Sequence, residues 1–474
     1  MSTPVQSADV LPTTHFPTQS RHGAPSLREL CGGAVHLPGD PGYDDARQPW
    51  NVAVDQRPAA VAYPASAAEV SEVVRAAAAA GLRVAVQGTG HNAGPLGDLR
   101  DAVLLRTSAM IGVRVDAARR RVTVGAGTLW LEAVEAAAQH GLAVLHGSSP
   151  DVGVVGYCLG GGMGWYARKL GFAAHSITGA ELVLADGSVV RVSPEENPDL
   201  LWGLRGGGGN IGIVTELEIE AFDFTTAYAG MLVWDWERAA EVLPVWAAWA
   251  REVDESVTTS FRLLQLPPLP VIPEPFRGRN LVVIDGAVMG DTPAVSALLA
   301  PLRALHPELD TFAHVPVETL TRLHMDPEGP TPGVSNTVLL SELTPEGIET
   351  FLRVAGPGSG SPLLAAEIRQ LGGAVSRPAP YKAALSHLEG DFLVFGVGIA
   401  ATPEMGAAVA AGAAALVEAL SPWASRQCYL NFVEHATDTS TGYAAGSWHR
   451  LQRLRREVDP QGLLRANHGV PVAE

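Results

Sequence analysis

Apolar residues along this chain recur at two periods, and the switches between them mark the elements. Val70, Val73 and Val74 fall three and four positions apart behind Ser66 and Glu69, a capping-box pair. That spacing predicts a helix over 67–80, stopped by Gly81. Strand-like runs flank it at 57–63, ended by Pro64, and at 82–86, which leads straight into Gly88. Further strands are predicted at 103–105, 112–115 and 121–125. A helix follows over 129–140, capped by Thr128 and closed by Gly141. Residues 181–192 read as a hairpin on the Asp186-Gly187 turn, followed by a helix at 200–205 and a strand at 211–219. Beyond Phe222 longer strands (228–234, 258–266, 280–288, 337–341, 363–371, 392–400) are separated by helices (237–251, 292–305, 345–354, 404–420). A basic helix at 448–458 ends before Asp459-Pro460. Long strands on one sheet with a few covering helices predict an α+β fold for this second part.

Three glycine runs interrupt the first part. The densest, Gly147 to Gly164, has seven glycines in eighteen residues, with small apolar residues filling most of the rest. Gly88-Thr89-Gly90-His91-Asn92 lies upstream and Arg205 to Asn210, with four consecutive glycines, downstream. Glycine lets backbone approach a bound group closely. Three such runs, each flanked by strand-like sequence, predict main-chain amides lining one large, flat ligand. They do not follow the strand–GxGxxG–helix arrangement of nicotinamide-dinucleotide sites.

Length and charge narrow the class. At 474 residues the chain exceeds what one core usually supports, so two domains are expected. A net charge of −17 argues against nucleic acid. Cys31, Cys158 and Cys428 are too scattered for a disulfide framework, and the fourteen histidines show no HxxxH or HxH spacing, so no metal is expected. Residues 1–29 are expected to form a poorly ordered tail without a secretory signal. No window is expected to supply the roughly 18 apolar residues of a membrane span. Together these features predict a cytoplasmic protein, monomer or homodimer, acting on a small molecule.

In their order, the motifs Gly88-Thr89-Gly90-His91, Gly147 to Gly156, Gly160 to Gly164, Leu204 to Val214, Tyr429-Leu430-Asn431-Phe432, Asp459-Pro460 and Asn467-His468 resemble the berberine-bridge-enzyme-like flavoproteins of the vanillyl-alcohol-oxidase superfamily. The resemblance spans about residues 43–470. It implies a two-part FAD-binding domain of the PCMH type, 30–222 completed by 424–474, with an inserted substrate domain, 223–423, built on a large antiparallel sheet covered by helices. It implies FAD as cofactor, hydride transfer from a substrate carbon to flavin N5, and O₂ as acceptor, giving peroxide. Carried over position by position, His91 falls on the histidine that bonds the flavin 8α-methyl carbon. The family's second linkage, through a cysteine, falls on Ser149, so a single covalent bond is expected. Cys158 is expected to be a packed residue. The cofactor-binding set comprises Gly88, Thr89, Gly90, His91, Asn92, Gly127, Gly147, Ser148, Ser149, Val152, Gly153, Gly156, Tyr157, Gly212, Ile213, Val214, Asn431 and Asn467. Val152 stands where the family gates oxygen access, and valine there resembles the oxidases.

The catalytic base is the departure. The family's tyrosine in Asn-Tyr is Phe432 here, and the strand at 392–399 carries no acid. Tyr429 is the first candidate, against a packing role at the flavin edge. Glu367 and Tyr381 are the others. Strand alternation puts Glu367, Arg369 and Leu371 on one face, which reads either as substrate pocket or as a solvated charge pair. His435 is a further candidate base, and His324 is read as structural. The competing functions are a dehydrogenase with another acceptor and a flavin-binding protein that has lost catalysis.

Overall fold

The computed structural model of the chain describes residues 27–290, 294–380 and 382–472. The tail expected over 1–29 lies outside the described residues up to position 26, and so does the catalytic candidate Tyr381. In chain order the strands are β1 (Val35–His36), β2 (Ala60–Ala62), β3 (Arg83–Gln87), β4 (Ala102–Arg106), β5 (Val113–Asp116), β6 (Arg121–Gly125), β7 (Ile177–Val183), β8 (Val189–Val192) and β9 (Ile213–Glu220). There follow β10 (Thr226–Asp235), β11 (Val257–Gln265), β12 (Asn280–Val288), β13 (Leu309–Asp310), β14 (Ala313–Pro316), β15 (Gly333–Leu340), β16 (Ala365–Gln370), β17 (Phe392–Ile399) and β18 (Leu464–Arg465).

They form three sheets. The first has the order β1-β2-β4-β3-β18, with β2, β4, β3 and β18 parallel. Parallel neighbours need a crossover, and helix Ala67–Ala79 supplies one between β2 and β3, burying Val70, Val73, Val74 and Ala77. Ser66 Oγ accepts from Glu69 N at 3.3 Å, and the Glu69 carboxylate accepts from Ala65 N at 2.8 Å. The second sheet, β5-β6-β9-β7-β8, is antiparallel, and Gly187 takes φ +78° in the β7–β8 turn. The third has eight strands, β13-β10-β12-β11-β16-β17-β15 with β14 on β10, all antiparallel.

The two faces of the third sheet differ in chemistry. Phe261, Ile284 and Ile368 turn toward helices Ala239–Glu252 and Pro345–Ala355 and pack with Trp246, Phe351 and Phe392. In the register Ser260 opposes Asp285 and Arg369, and Arg262 opposes Glu367. All five therefore share the other face, away from the helices.

β18 is two residues long, and its position is set by the helix before it. Asp459, at the end of helix Ala445–Val458, is fully buried, pairs with Arg455 at 2.9 Å, and accepts from Leu463 N at 2.7 Å and Leu464 N at 2.9 Å. Asn210, from the third glycine run, holds the next segment by donating to His468 O and accepting from Val470 N.

Three local expectations fail for physical reasons. Thr128 does not cap the helix Trp130–Ala138, because its hydroxyl bonds both the N–H and the carbonyl of Gly112. The helix expected over 292–305 is two short pieces, Ala294–Ala297 and Ala300–Arg303, since Pro301 starts a new first turn instead of continuing the old one. Helix Pro403–Trp423 is long and apolar enough to cross a membrane by length and composition alone, contrary to expectation. Its alanines raise hydropathy with little bulk. It lies on β15 and β17 with Val409, Ala413 and Leu416 buried, over Gly396 and Gly398, where a Cβ would come within 3.0 Å of Leu416 and 2.7 Å of Val409.

Candidate active site

The glycine runs converge on a cleft of about 310 Å³ that opens to solvent. Its walls are the C-terminal end of β3 and the loop after it (Gln87 to Asn92), Val152 to Gly160, Gly208-Gly209, Gly212 to Val214, and the returning segments Tyr429 to Phe432 and Leu464 to His468. Residues 154–159 within the longest run form a helix that glycine spacing had masked. An added Cβ at Gly156 would meet nothing, and one at Gly153 or Gly209 would find its nearest neighbour at 3.8 Å. These glycines therefore leave space open on the cleft side, where a large ligand can lie against backbone.

Fourteen of the predicted cofactor residues line this cleft: Gly88, Thr89, Gly90, His91, Asn92, Val152, Gly153, Gly156, Tyr157, Gly212, Ile213, Val214, Asn431 and Asn467. Four do not. A Cβ on Gly127 would come within 2.3 Å of Thr107 O, so that glycine serves close backbone packing. Gly147 packs against the Tyr157 ring, and Ser149 is buried with its hydroxyl donated to Asp151 Oδ1 at 2.8 Å. Ser148 instead lines a small hollow, about 20 Å³, between the glycine stretch and the third sheet, together with Trp165, Ser260 and Arg369. Cleft residues that sequence reasoning missed include Gln87, Val155, Gly160, Tyr443, Ala466 and His468. The two last flank the predicted Asn467, in the segment that follows β18.

His91 sits at the junction of three loops. Its ring stacks on Trp50 with centroids 3.9 Å apart and planes 17° from parallel. Nδ1 is 2.7 Å from Thr89 Oγ1. Nε2 lies 3.4 Å from Asp151 Oδ1 yet is buried without a well-formed hydrogen bond. Asn92 Oδ1 and Tyr157 OH are likewise buried without a protein partner. Three cleft residues thus hold polar atoms that protein alone leaves unsatisfied, a costly arrangement unless a ligand meets them.

At the other end Tyr429 is 1% exposed, stacks on Phe172 and lies 5.6 Å from Phe432. Burial pushes its phenol well above the ordinary value. Asn431 Nδ2 donates to Tyr157 O at 3.0 Å, joining the two walls. Cys158 is fully buried and burial pushes its thiol up strongly, which leaves it inert and packed. His435 is solvent-exposed.

Glu367 and Arg369 do not lie on a solvated face. With Arg262, Asp285 and His324 they form a buried ionic cluster beneath Phe432. Asp285 Oδ2 is 3.1 Å from Arg262 Nη1 and 2.8 Å from His324 Nδ1, and Ser260 donates to Oδ1. His324 Nε2 is 3.3 Å from Glu367 Oε2, and Arg369 Nε is 2.5 Å from Glu367 Oε1. Burial and Arg262 oppose charging of His324, but the Asp285 and Glu367 carboxylates outweigh them and hold it up at about 9. Burial opposes ionisation of Glu367, and Arg369 and His324 outweigh it, keeping that carboxyl far below its usual range. Arg369, at the cleft end of the cluster, lies 4.9 Å from the centroid of the Phe432 ring. His324, read as structural, is the centre of this cluster.

One further acid stands close by. Glu434 is half-buried behind Phe432, and its backbone carbonyl packs on Gly94. Burial pushes its carboxyl up to about 7, partly countered by Ser335. A raised acid costs nothing below its unfolded value, about 4.5, and destabilises progressively up to about 7. Glu434→Gln is expected to raise stability at pH 8 by about 3 kcal/mol at most, with the gain vanishing near pH 4.5. Denaturation at the two pH values checks this.

Residues 58–193 match the family described as FAD binding domain. The chain is 36% identical over 203 residues to (R)-6-hydroxynicotine oxidase of Paenarthrobacter nicotinovorans, covering 43% of this chain and 44% of that one. It is 34% identical over 238 residues to glucooligosaccharide oxidase of Sarocladium strictum, covering 49% and 48%. These matches span about half the length of the relatives. The solved structure of Physcomitrella patens BBE-like 1 superimposes with a TM-score of 0.79 at 20% identity, over 93% of this chain and 97% of that one. The space beside the glycines and the unsatisfied atoms of His91, Asn92 and Tyr157 fit a flavin dinucleotide. Residues 58–193 are therefore an FAD binding domain, carried on the fold of the berberine-bridge-enzyme-like flavoproteins.

Proposed function

We propose that this protein is an FAD-dependent oxidase that removes hydride from a C–H bond of a small organic donor, sugar-like or a secondary metabolite, and passes the electrons to dioxygen. The observation that carries this is the glycine-walled cleft, three of whose lining residues hold buried polar atoms without a protein partner. Bound FAD would supply the hydride acceptor and the path of electrons to dioxygen.

The chain's own residues do the rest. Backbone at Gly88–Gly90 and Gly208-Gly209 holds the dinucleotide, and Asn92, Tyr157 and Asn431 give it hydrogen bonds. His91 attaches it by a single covalent bond, since Ser149 is no soft nucleophile and its hydroxyl is committed to Asp151. Tyr429 keeps its proton at neutral pH and donates a hydrogen bond that orients the donor. Glu367, already ionised and bonded to Arg369, is a weak proton acceptor, and its part is to fix the guanidinium beside Phe432. Phe432 and Phe395, 5.2 Å apart, exclude water from the reacting carbon. The relatives are named as oxidases of a hydroxynicotine and of glucooligosaccharides, which supports this substrate range. Three free thiols support a reducing, cytoplasmic setting.

The test is acid precipitation of purified protein, then absorption and intact mass of the washed pellet, with peroxide release measured on panels of alcohols, oligosaccharides and aromatic amines. A yellow pellet heavier by one FAD, white in His91→Ala, is the expected result. A yellow supernatant over a white pellet would leave FAD bound but unattached. A folded, flavin-supplied protein colourless in both fractions would overturn the FAD reading, and a yellow protein releasing no peroxide on turnover would overturn the oxidase reading.

A further inference from the structure

The segment that returns past the cleft lies along the polar face of the third sheet. Phe432, which lines the cleft, has its ring 5.2 Å from that of Phe395. In the register Phe395 opposes Thr337 and Glu367, and one step further along the same face Val397 opposes Ser335 and Ala365. Val433 is extended, with φ −91° and ψ 109°, so the side chains of Phe432 and Glu434 point the same way. Phe432 therefore covers Phe395, and Glu434 reaches the next row, where the Ser335 hydroxyl bears on its carboxyl. Ser335, Thr337, Phe395 and Val397 are half-buried, whereas Ala365 and Glu367 are buried. The sheet face is open where Glu434 stands, one row from the ring that lines the cleft.

Two acids flank this space, and they differ in what holds them. Glu367 is bound by Arg369 and His324. Glu434 has no cation among the groups that shift it: burial raises its carboxyl to about 7, and Ser335 partly counters this. The charged and titratable groups around it are engaged elsewhere. Arg369, across Phe432, is paired with Glu367, His468 Nε2 meets Val433 O at 3.1 Å, and His435 is solvent-exposed. Gly94, three residues after His91, packs on the Glu434 carbonyl and fixes the backbone there. We propose that Glu434 is the general base of the oxidation, taking the O–H or N–H proton of the donor as hydride leaves the adjacent carbon. This rests on the reading that the donor gives hydride to FAD, a step for which Phe432 offers no proton acceptor and Glu367 a weak one. The C–H bond breaks with its electron pair going to FAD, the O–H or N–H proton goes to the Glu434 carboxylate, and a C=O or C=N double bond forms. Dioxygen takes the two electrons, with the hydride's proton and one from solvent, and becomes peroxide. Glu434, half-buried, returns its proton to solvent. Its ionised fraction grows as pH rises through about 7, so the rate climbs over that range. The burial that makes it a base also costs stability, as functional groups commonly do.

The experiment uses FAD-loaded wild type, Glu434→Gln and Glu434→Ala. Infrared difference spectra between about pH 6 and 8, taken without donor, should show a carboxyl that titrates in wild type and is missing from Glu434→Gln. Anaerobic bleaching of the flavin is then followed by stopped flow, with the first compound of the alcohol, oligosaccharide and aromatic amine panels that reduces the wild type. Glu434→Gln, expected to be the more stable protein, should bind that compound within about threefold of wild type yet bleach more than tenfold more slowly at about pH 8, without the wild-type rise through about pH 7. Formate should restore rate to Glu434→Ala, which a structural defect would not allow. A smaller loss in Glu434→Gln, a pH rise or infrared band that survives in it, or an alanine variant that formate leaves slow overturns the proposal. A yellow wild type that no compound in the panels reduces overturns the hydride-transfer reading instead, and the infrared band, read without donor, tells that outcome from failure of Glu434.

Discussion

Asp285→Asn is expected to lower the unfolding free energy by about 3–5 kcal/mol, the cost of removing one partner from a buried ionic cluster. Asp285 has no exposed surface, and its oxygens serve Ser260, Arg262 and His324 together. The amide keeps the shape and loses the charge, leaving two cations against one side of the cluster with Glu367 alone beside them. Urea unfolding checks the magnitude, and a variant within about 1 kcal/mol of wild type would show that the charge is dispensable. The pH profile gives a second handle. His324 is held up at about 9, so its contribution is whole below its unfolded value, about 6.5, and is lost as pH rises through 9. Asp285 and Glu367 are lowered, so theirs are whole above about 4 and lost as pH falls. Adding the Glu434 penalty, which grows up to about 7, wild-type stability should peak between about pH 4.5 and 6.5. In Asp285→Asn the alkaline slope should flatten, because His324 has lost the carboxylate that keeps it charged.

Gly164→Ala is expected to cost about 3 kcal/mol or more and to abolish FAD retention. The added Cβ would sit 1.9 Å from the His146 carbonyl oxygen and 3.3 Å from Tyr157 OH. A backbone oxygen cannot swing aside as a side chain can, so the segment leading into Gly147 and Ser148 must move, carrying the loop that holds Ser149 and Asp151. Gly446→Ala is the control. It lies in helix Ala445–Val458 with nothing within 4 Å of its added Cβ, and should gain about 0.5–1 kcal/mol from helix propensity. Melting temperature and the flavin spectrum of the two variants distinguish a local clash from a general intolerance of glycine replacement.

Much of this arrangement was legible because its signals are local. β12 was predicted to the residue, since Asn280–Val288 is a short run rich in β-branched apolar residues with Gly278 before it and Gly290 after it. The glycine runs announced a main-chain site, and fourteen of the eighteen residues assigned to the cofactor line the cleft. What the sequence left illegible shares a cause. His324 takes its meaning from Asp285 and Glu367, 39 and 43 residues away, and nothing in Leu323-His324-Met325 foretells them. One clue was available: a single acid amid the apolar residues of β12 demands a buried partner. Ser148 and Ser149 were placed by motif, whereas their hydroxyls are taken by Asp326 and Asp151. β18 is too short for any period to show.

The return of β18 to the edge of the first sheet also has a consequence for synthesis. Within the cleft wall formed by Leu464 to His468, Leu464 and Arg465 pair with β3, 380 positions earlier, and the segment is held there by Asp459 and Asn210. A ribosome that has translated the whole of the third sheet still displays an open first sheet, with one edge of β3 lacking its neighbour. Completion of the cleft must therefore wait until residues 464–468 leave the exit tunnel, and until then the exposed strand edge is open to chaperones or to pairing with another nascent chain.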